Sequence, residues 1–191
     1  MPVKYINRKG HTYYLHQAKT RTGNPKYFFS MRKEGLLVDK IPDDYEIYEN
    51  PNAQVFLRRA QPKIITDEEI LVVKKGIDSY CDLKYYQIDV KKETIIVFVA
   101  DQDVETLSKL LDTGYTKNRQ KVQDVLSKSI TYSPILRFIL IDEEKRKFIV
   151  QRYCFLGSID DWIDIGEPDS LESLAKKYMK HLGQESFYEL L

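Results

Sequence analysis

The stretch KYYQIDVKKETIIVFVA, residues 84–100, decides the fold class of this chain. Two runs rich in Tyr, Ile, Val and Phe, at 84–90 and 94–100, flank a short charged turn, and such runs are typical of strands. A turn this short joins antiparallel neighbours, because a parallel pair needs a long crossover. Residues 95–99, IIVFV, are all apolar, which predicts a central strand covered on both faces.

Helical patterns lie on both sides of this hairpin. Thr66 and Glu69 have the spacing of a capping box, and apolar residues follow them at helical intervals. Further along, the pattern predicts two helices at 104–111 and 117–129 and a second hairpin formed by 135–141 and 147–155. An acidic loop at 157–168 precedes two last helices, one starting near Asp169 and one at 185–190. Residues 62–191 are therefore predicted to follow the order α-ββ-αα-ββ-αα.

Residues 1–61 have short strand and turn patterns and no helical period. In 12–16 and 26–31, period-two alternation places Leu15 and Phe29 on the faces opposite Tyr14 and Phe28. A long hairpin loop is predicted between these strands, at 17–25, and further strands at 36–40, 45–48 and 54–58.

The turn at Gln61-Pro62 marks the expected boundary, because proline breaks both kinds of element. We therefore expect an α+β protein, with a small basic β-rich N-terminal module at 1–61. An antiparallel sheet flanked by helices is expected at 62–191.

Charge divides unevenly along the chain, although the formal net charge of all 191 residues is only +1. Residues 1–40 contain nine Lys and Arg against two acids, a surplus of seven positive charges, and the remainder has a surplus of six negative charges. Residues 9–33 contain no carboxylate. A split of this kind points to a basic interaction surface.

The basic module suits a polyanion, because Lys and Arg neutralise phosphates and flat rings stack on bases. The residues predicted to bind nucleic acid or another polyanion are Lys9, Tyr14, Lys19, Arg21, Lys26, Phe28 and Arg32. Two structural explanations compete with this hypothesis. The aromatic residues could form a small core while lysines protect strand edges, or the basic segment could dock on the acidic remainder within the chain or across a dimer.

The acidic stretch GSIDDWIDIGEPD, residues 157–169, contains no Lys or Arg. Its Trp162 is expected to anchor the loop to a core by its ring. The alternative is a protein partner or a homodimer, because Trp is a frequent interface anchor, and the predicted partner-binding residues are then Asp160, Asp161, Trp162 and Asp164. A metal-dependent hydrolase using Asp160, Asp161 and Asp164 is a weaker alternative, since the spacing does not fit an EF-hand loop. We predict no metal site.

The sequence contains no motif that indicates nucleophilic catalysis or nucleotide binding. The chain contains no Gly-x-Ser-x-Gly elbow and no phosphate-binding glycine loop, so we predict no catalytic residues and no cofactor, and lean towards a protein that is not an enzyme. Cys81 and Cys154 lack metal or redox spacing. With no apolar leader or membrane-spanning run, we expect a cytoplasmic protein without a membrane partner.

Three segments carry a resemblance to a known family: GNPKYFFS at 23–30, IPDDYEIYENPNAQVFLRR at 41–59, and CFLGSIDDWIDI at 154–165. They resemble those of a family of uncharacterised prokaryotic proteins. That resemblance implies no activity, cofactor or site residue for this chain.

Overall fold

The computed structural model of the protein describes residues 1–103, 106–107, 128–156 and 159–190. These residues form two compact units. Among the described residues, the first unit contains 1–61 and 128–129, and the second contains 62–103, 106–107, 130–156 and 159–190. That the two are separate domains stays a prediction. The helices predicted at 104–111 and 117–129 lie largely outside the described residues.

Two small antiparallel sheets build the first unit. A three-stranded sheet, in the order β1-β2-β3, is formed by Lys4–Ile6, Thr12–Lys19 and Pro25–Ser30. A hairpin follows, formed by β4 (Tyr45–Glu49) and β5 (Val55–Arg59). Leu15 and Phe29 are buried together with Val55 in one cluster, as the period-two pattern predicts for the first two.

The β2–β3 hairpin is longer than the sequence predicts. The predicted loop at 17–25 is wrong at both ends, because Gln17, Ala18 and Lys19 continue β2 and pair with Tyr27, Lys26 and Pro25. The connection is reduced to residues 20–24. The strand predicted at 36–40 is also wrong: that segment contributes an isolated bridge, between Leu37 and His16.

The second unit combines helices with a six-stranded antiparallel sheet. Its elements are α1 (Asp67–Tyr80), β6 (Tyr86–Lys91), β7 (Thr94–Ala100), β8 (Tyr132–Asp142), β9 (Lys147–Leu156), β10 (Ile159–Asp164), β11 (Asp169–Ser170) and α2 (Leu171–Tyr178). Two short 3₁₀ helices follow, Met179–His181 and Glu185–Phe187. The strand order is β10-β9-β8-β7-β6, with β11 paired to β9. The α+β class is confirmed, and sheets dominate it.

The start of α1 confirms the predicted capping box. The Thr66 hydroxyl accepts a hydrogen bond from the Glu69 amide at 3.2 Å, and the Glu69 carboxylate accepts one from the Thr66 amide at 2.9 Å. These bonds satisfy amides that have no partner within the helix.

Strand β7 is predicted to be central, but it lies between β8 and the edge strand β6, and part of one of its faces is fully buried. Ile95 and Val97 have no exposed surface, and they lie in a core with Phe138, Phe148 and residues of α1 and α2. The prediction of burial on both faces is too strong, because Ile96 on the opposite face is half-buried.

The acidic loop predicted at 157–168 is wrong over half of its length. Residues 159–164 form β10, which pairs with β9 from Ile159 opposite Leu156 to Asp164 opposite Gln151. Ile163 packs against the main core. Pairing with β9 and this core contact together stabilise β10, although its composition is typical of a loop. The final predicted helix is also shorter, a 3₁₀ turn at Glu185–Phe187.

No helix in the described part of the chain has both the length and the apolar character needed to cross a bilayer.

Candidate polyanion-binding surface

The connection between β2 and β3 is an ordered turn. The Thr20 amide donates to the Asn24 carbonyl at 2.8 Å, and the Gly23 amide donates to the Thr20 carbonyl at 2.9 Å. The Thr20 hydroxyl accepts from the Asn24 amide at 3.1 Å. Gly23 has a φ of +84°, which glycine adopts without steric cost. Arg21 therefore lies at the apex of the hairpin, where it is exposed.

Lys26 and Phe28 lie on one face of β3, two residues apart. Phe28 is directly opposite His16, and the two rings stack with centroids 5.4 Å apart and planes 15° apart. Phe28 keeps 39% of its surface exposed, whereas His16 is 4% exposed. Phe28 is thus an aromatic platform that is supported from behind and open to a ligand beside a lysine.

The structure brings four of the seven predicted residues to one end of the hairpin. We call Lys19, Arg21, Lys26 and Phe28 the hairpin patch. Lys19 ends β2 opposite Pro25, and its position in the strand places it on the face opposite that of Lys26. Arg21 lies in the turn between the two strands. The end of the hairpin therefore carries a cation on each face of the sheet and a third at its apex.

Three other cations of the first unit are neutralised by the protein's own carboxylates. Arg8 pairs with Glu49 at 2.8 Å, Lys40 with Asp43 at 2.9 Å, and Arg58 with Glu46 at 2.8 Å. By contrast, none of the three cations of the hairpin patch forms an ion pair with a described residue. This end of the sheet therefore carries positive charge that no described carboxylate neutralises by an ion pair.

The remaining predicted residues lie away from the hairpin patch. Tyr14 is half-buried, and the Lys33 ammonium lies 5.9 Å from the centre of its ring. Arg32 follows the far end of β3, and its carbonyl accepts a hydrogen bond from His16 Nε2 at 2.9 Å. Lys9 lies in the turn between β1 and β2, at the opposite end of β2 from Lys19.

Sequence patterns did not indicate that residues 31–35 cross the sheet. This crossing covers His16, and it requires Gly35, because a Cβ at that position would lie 3.3 Å from His16 Nδ1. Gly35 also has a φ of +117°, a conformation open to glycine. The crossing brings Lys33, which is not among the predicted binding residues, over the ring of Tyr14.

The predicted acidic surface lies on an edge strand. Along β10, Asp160, Trp162 and Asp164 share one face, and Asp161 lies on the other. Trp162 packs edge-on against Tyr153 at 5.3 Å between ring centroids, and the Arg137 guanidinium lies 4.3 Å from its ring centre.

The carboxylates of this surface are bound within the sheet. Tyr153 Oη donates to Asp160, which raises the pKa of that tyrosine, and Gln151 Nε2 donates to Asp164 at 2.9 Å. Burial lowers the pKa of Arg137, an effect opposed by Asp161 and Asp164. Within the described ranges, no three His, Cys, Asp or Glu residues are grouped so that they could hold a metal ion.

Comparisons with known proteins identify no relative. A scan of protein-family models, a search of curated proteins and a search of solved structures each found no match to this chain.

Proposed function

We propose that the protein binds single-stranded nucleic acid through the hairpin patch. One observation carries the proposal. Phe28 is exposed and stacks on His16, and the same end of the hairpin carries three cations that form no ion pair with a described residue. Phosphates would contact Lys19, Arg21 and Lys26, while a base stacks on Phe28. Single strands favour this arrangement over a duplex, because only unpaired bases offer their faces to an aromatic side chain.

The first test compares two triple variants with the same net charge. Lys19→Gln/Arg21→Gln/Lys26→Gln removes the cations of the patch, and Lys74→Gln/Lys75→Gln/Lys176→Gln removes three exposed lysines of α1 and α2. We expect fluorescence anisotropy with a labelled single-stranded RNA at low salt to show a loss of at least about tenfold in affinity for the first variant. The second variant should bind within about twofold of the wild type.

A further variant separates base stacking from charge. Phe28→Leu keeps an apolar cover on His16 and removes the aromatic face. Stacking contributes about 1–3 kcal/mol per base, so binding of RNA should weaken by about fivefold or more. Binding of inorganic polyphosphate, which has no bases, should not change. An absence of RNA binding by the wild type at low salt, or equal losses in both triple variants, would refute the proposal.

A second candidate function is self-association, in which β10 of one copy meets the hairpin patch of another. Within the described residues, β10 pairs on one side only, so its outer edge is available for a strand. Phe155, directly opposite Asp160, is 76% exposed. Pairing of β10 with another β10 is disfavoured because it would bring the carboxylates of both copies together.

Sedimentation velocity tests this second candidate. Wild type should form a dimer at low salt that dissociates as salt is added, because opposite charges hold it. Asp160→Asn/Asp164→Asn should be monomeric under the same conditions, and the variant lacking the three patch cations should behave likewise. A wild type that stays monomeric at all concentrations and salts excludes this function.

A further inference from the structure

A cleft in the second unit is separate from the hairpin patch and meets the surface around β10 at Tyr153 and Phe155. It consists of two adjoining cavities, of about 320 Å³ and about 270 Å³. Val99, Ile135 and Tyr188 line both, so they form one continuous wall between the end of β7, the start of β8 and the C-terminal residues. Volumes of this size suit a small organic molecule.

Arg152 supplies a buried cation at this cleft. The side chain lines the smaller cavity and is 4% exposed. Its Nε donates to the Leu190 carbonyl at 2.9 Å, and Nη2 donates to the Tyr188 carbonyl at 3.0 Å. Nη1 has no acceptor in the described part of the chain, and no described carboxylate forms an ion pair with the guanidinium.

This environment leaves the guanidinium of Arg152 without an ion pair among the described residues. Backbone carbonyls are dipoles and do not neutralise a full charge, and a buried cation is costly until an anion pairs with it. A guanidinium also holds a carboxylate by two parallel hydrogen bonds better than other side chains do. The chemistry of Arg152 therefore matches a single carboxylate or sulfonate group.

The rest of the cleft selects the body of the ligand. The wall that the two cavities share is largely apolar, and two aromatic side chains at the surface of the cleft are strongly exposed, Tyr188 at 64% and Phe155 at 76%. Asp101 lines the same cavity, and Asp82, Asp103 and Lys84 line the adjoining one. Three carboxylates against one lysine disfavour a second negative group on the ligand. An apolar body with one anionic end fits, whereas a polyanion does not.

We infer that this cleft binds an amphipathic organic monoanion, such as a medium-chain carboxylate, with Arg152 holding the anionic group and Val99, Ile135 and Tyr188 covering the apolar body. The site is independent of the hairpin patch, because all of its residues belong to the second unit.

The test uses a fluorescent sulfonate, anilinonaphthalene sulfonate, and its uncharged relative phenylnaphthylamine. The folded full-length protein should bind the sulfonate saturably and at least about tenfold more tightly than the neutral probe. Decanoate should displace the sulfonate, and decanol should not compete at equal concentration.

Three variants locate the binding. Arg152→Gln should weaken sulfonate binding by at least about tenfold and leave the neutral probe unaffected. Tyr188→Ala should weaken both probes, and Tyr80→Ala, which removes an exposed tyrosine at the end of α1, should change neither. Circular dichroism checks that each variant is folded.

The outcomes separate clearly. Equal binding of the charged and neutral probes by the wild type overturns the inference, as does unchanged sulfonate binding in a folded Arg152→Gln variant. Should Arg152→Gln fail to fold, the wild-type ratio between the two probes and the contrast between Tyr188→Ala and Tyr80→Ala decide the question.

Discussion

Gly166 shows how one missing side chain permits close packing. It follows Ile165, and its backbone passes against the phenol ring of Tyr178, a residue of α2 that is 3% exposed. A Cβ at position 166 would overlap the Tyr178 hydroxyl and lie 2.7 Å from Cζ of the ring. Since the ring is buried, it has little room to move, and packed interiors tolerate no such overlap.

We predict that Gly166→Ala destabilises the protein by about 1–3 kcal/mol through this overlap. Tyr178→Phe removes the hydroxyl, which is the nearest atom, so the double variant should lose less stability than the two single losses together. Urea unfolding of the four proteins of this double-mutant cycle measures the coupling. Additive losses would contradict the prediction, because they would mean that residue 166 and the hydroxyl do not meet.

At the level of elements, Glu69 joins α1 to the β8–β9 turn. Besides completing the capping box, its carboxylate accepts from Arg146 Nε at 2.9 Å and from Nη2 at 2.5 Å. Arg146 Nη2 also donates to the Ile64 carbonyl at 3.3 Å. The Glu69 side chain is only 13% exposed, so solvent screens this pair less than a surface pair.

This double role predicts an order of stability among variants. Thr66→Ala should lose about 1 kcal/mol, the usual cost of an N-cap hydroxyl. Glu69→Ala should lose at least about 1 kcal/mol more, because it also leaves the Arg146 guanidinium without its two-point partner. Urea is the appropriate denaturant, since guanidinium salts would screen the ion pair.

Arg146→Gln provides the matched control, because it removes the pair and leaves the capping box intact. Its loss of stability should equal the difference between the losses of the Glu69→Ala and Thr66→Ala variants. Equal losses for Thr66→Ala and Glu69→Ala would mean that the contact with Arg146 contributes no stability.

The sequence predicts elements whose formation depends on neighbouring residues, and it does not predict elements that form because of contacts with distant residues. Thr66 and Glu69 define the start of α1 within four residues, and residues 94–100 match β7. In β10, Asp160, Asp161 and Asp164 are unfavourable in strands, and the strand exists because Trp162 and Ile163 meet β9 and the core. No local pattern reveals such contacts.

The same distinction applies to the candidate site. Alternation correctly places Phe28 opposite the buried face of the sheet, with Phe29 buried at 9%. It does not reveal that residues 31–35 cross the sheet over His16, nor that Lys9 and Lys19 lie at opposite ends of β2. The prediction of the seven residues rests on composition and strand alternation, and these carry no information on which distant residues share a surface.

For the molecule as a whole, the near-zero net charge hides a local field. The first 40 residues carry seven surplus positive charges, and ion pairs with Glu49 and Asp43 neutralise Arg8 and Lys40. The cations of the hairpin patch form no ion pair with described residues. A polyanion should therefore respond to this patch even though the net charge of +1 predicts no long-range attraction.

The salt dependence of RNA binding gives the number of phosphates that the patch neutralises. Each phosphate neutralised on a single strand contributes about −0.7 to the slope of log K against log salt concentration, because condensed counterions are released. Three contacts, from Lys19, Arg21 and Lys26, predict a slope of about −2 between roughly 50 and 200 mM salt. Each single substitution to Gln in the patch should make the slope less steep by about 0.7, whereas Lys74→Gln should not change it. A wild-type slope near zero would show that phosphate contacts do not drive binding, and equal changes for Lys26→Gln and Lys74→Gln would show that the charge acts from the whole surface and not from this hairpin.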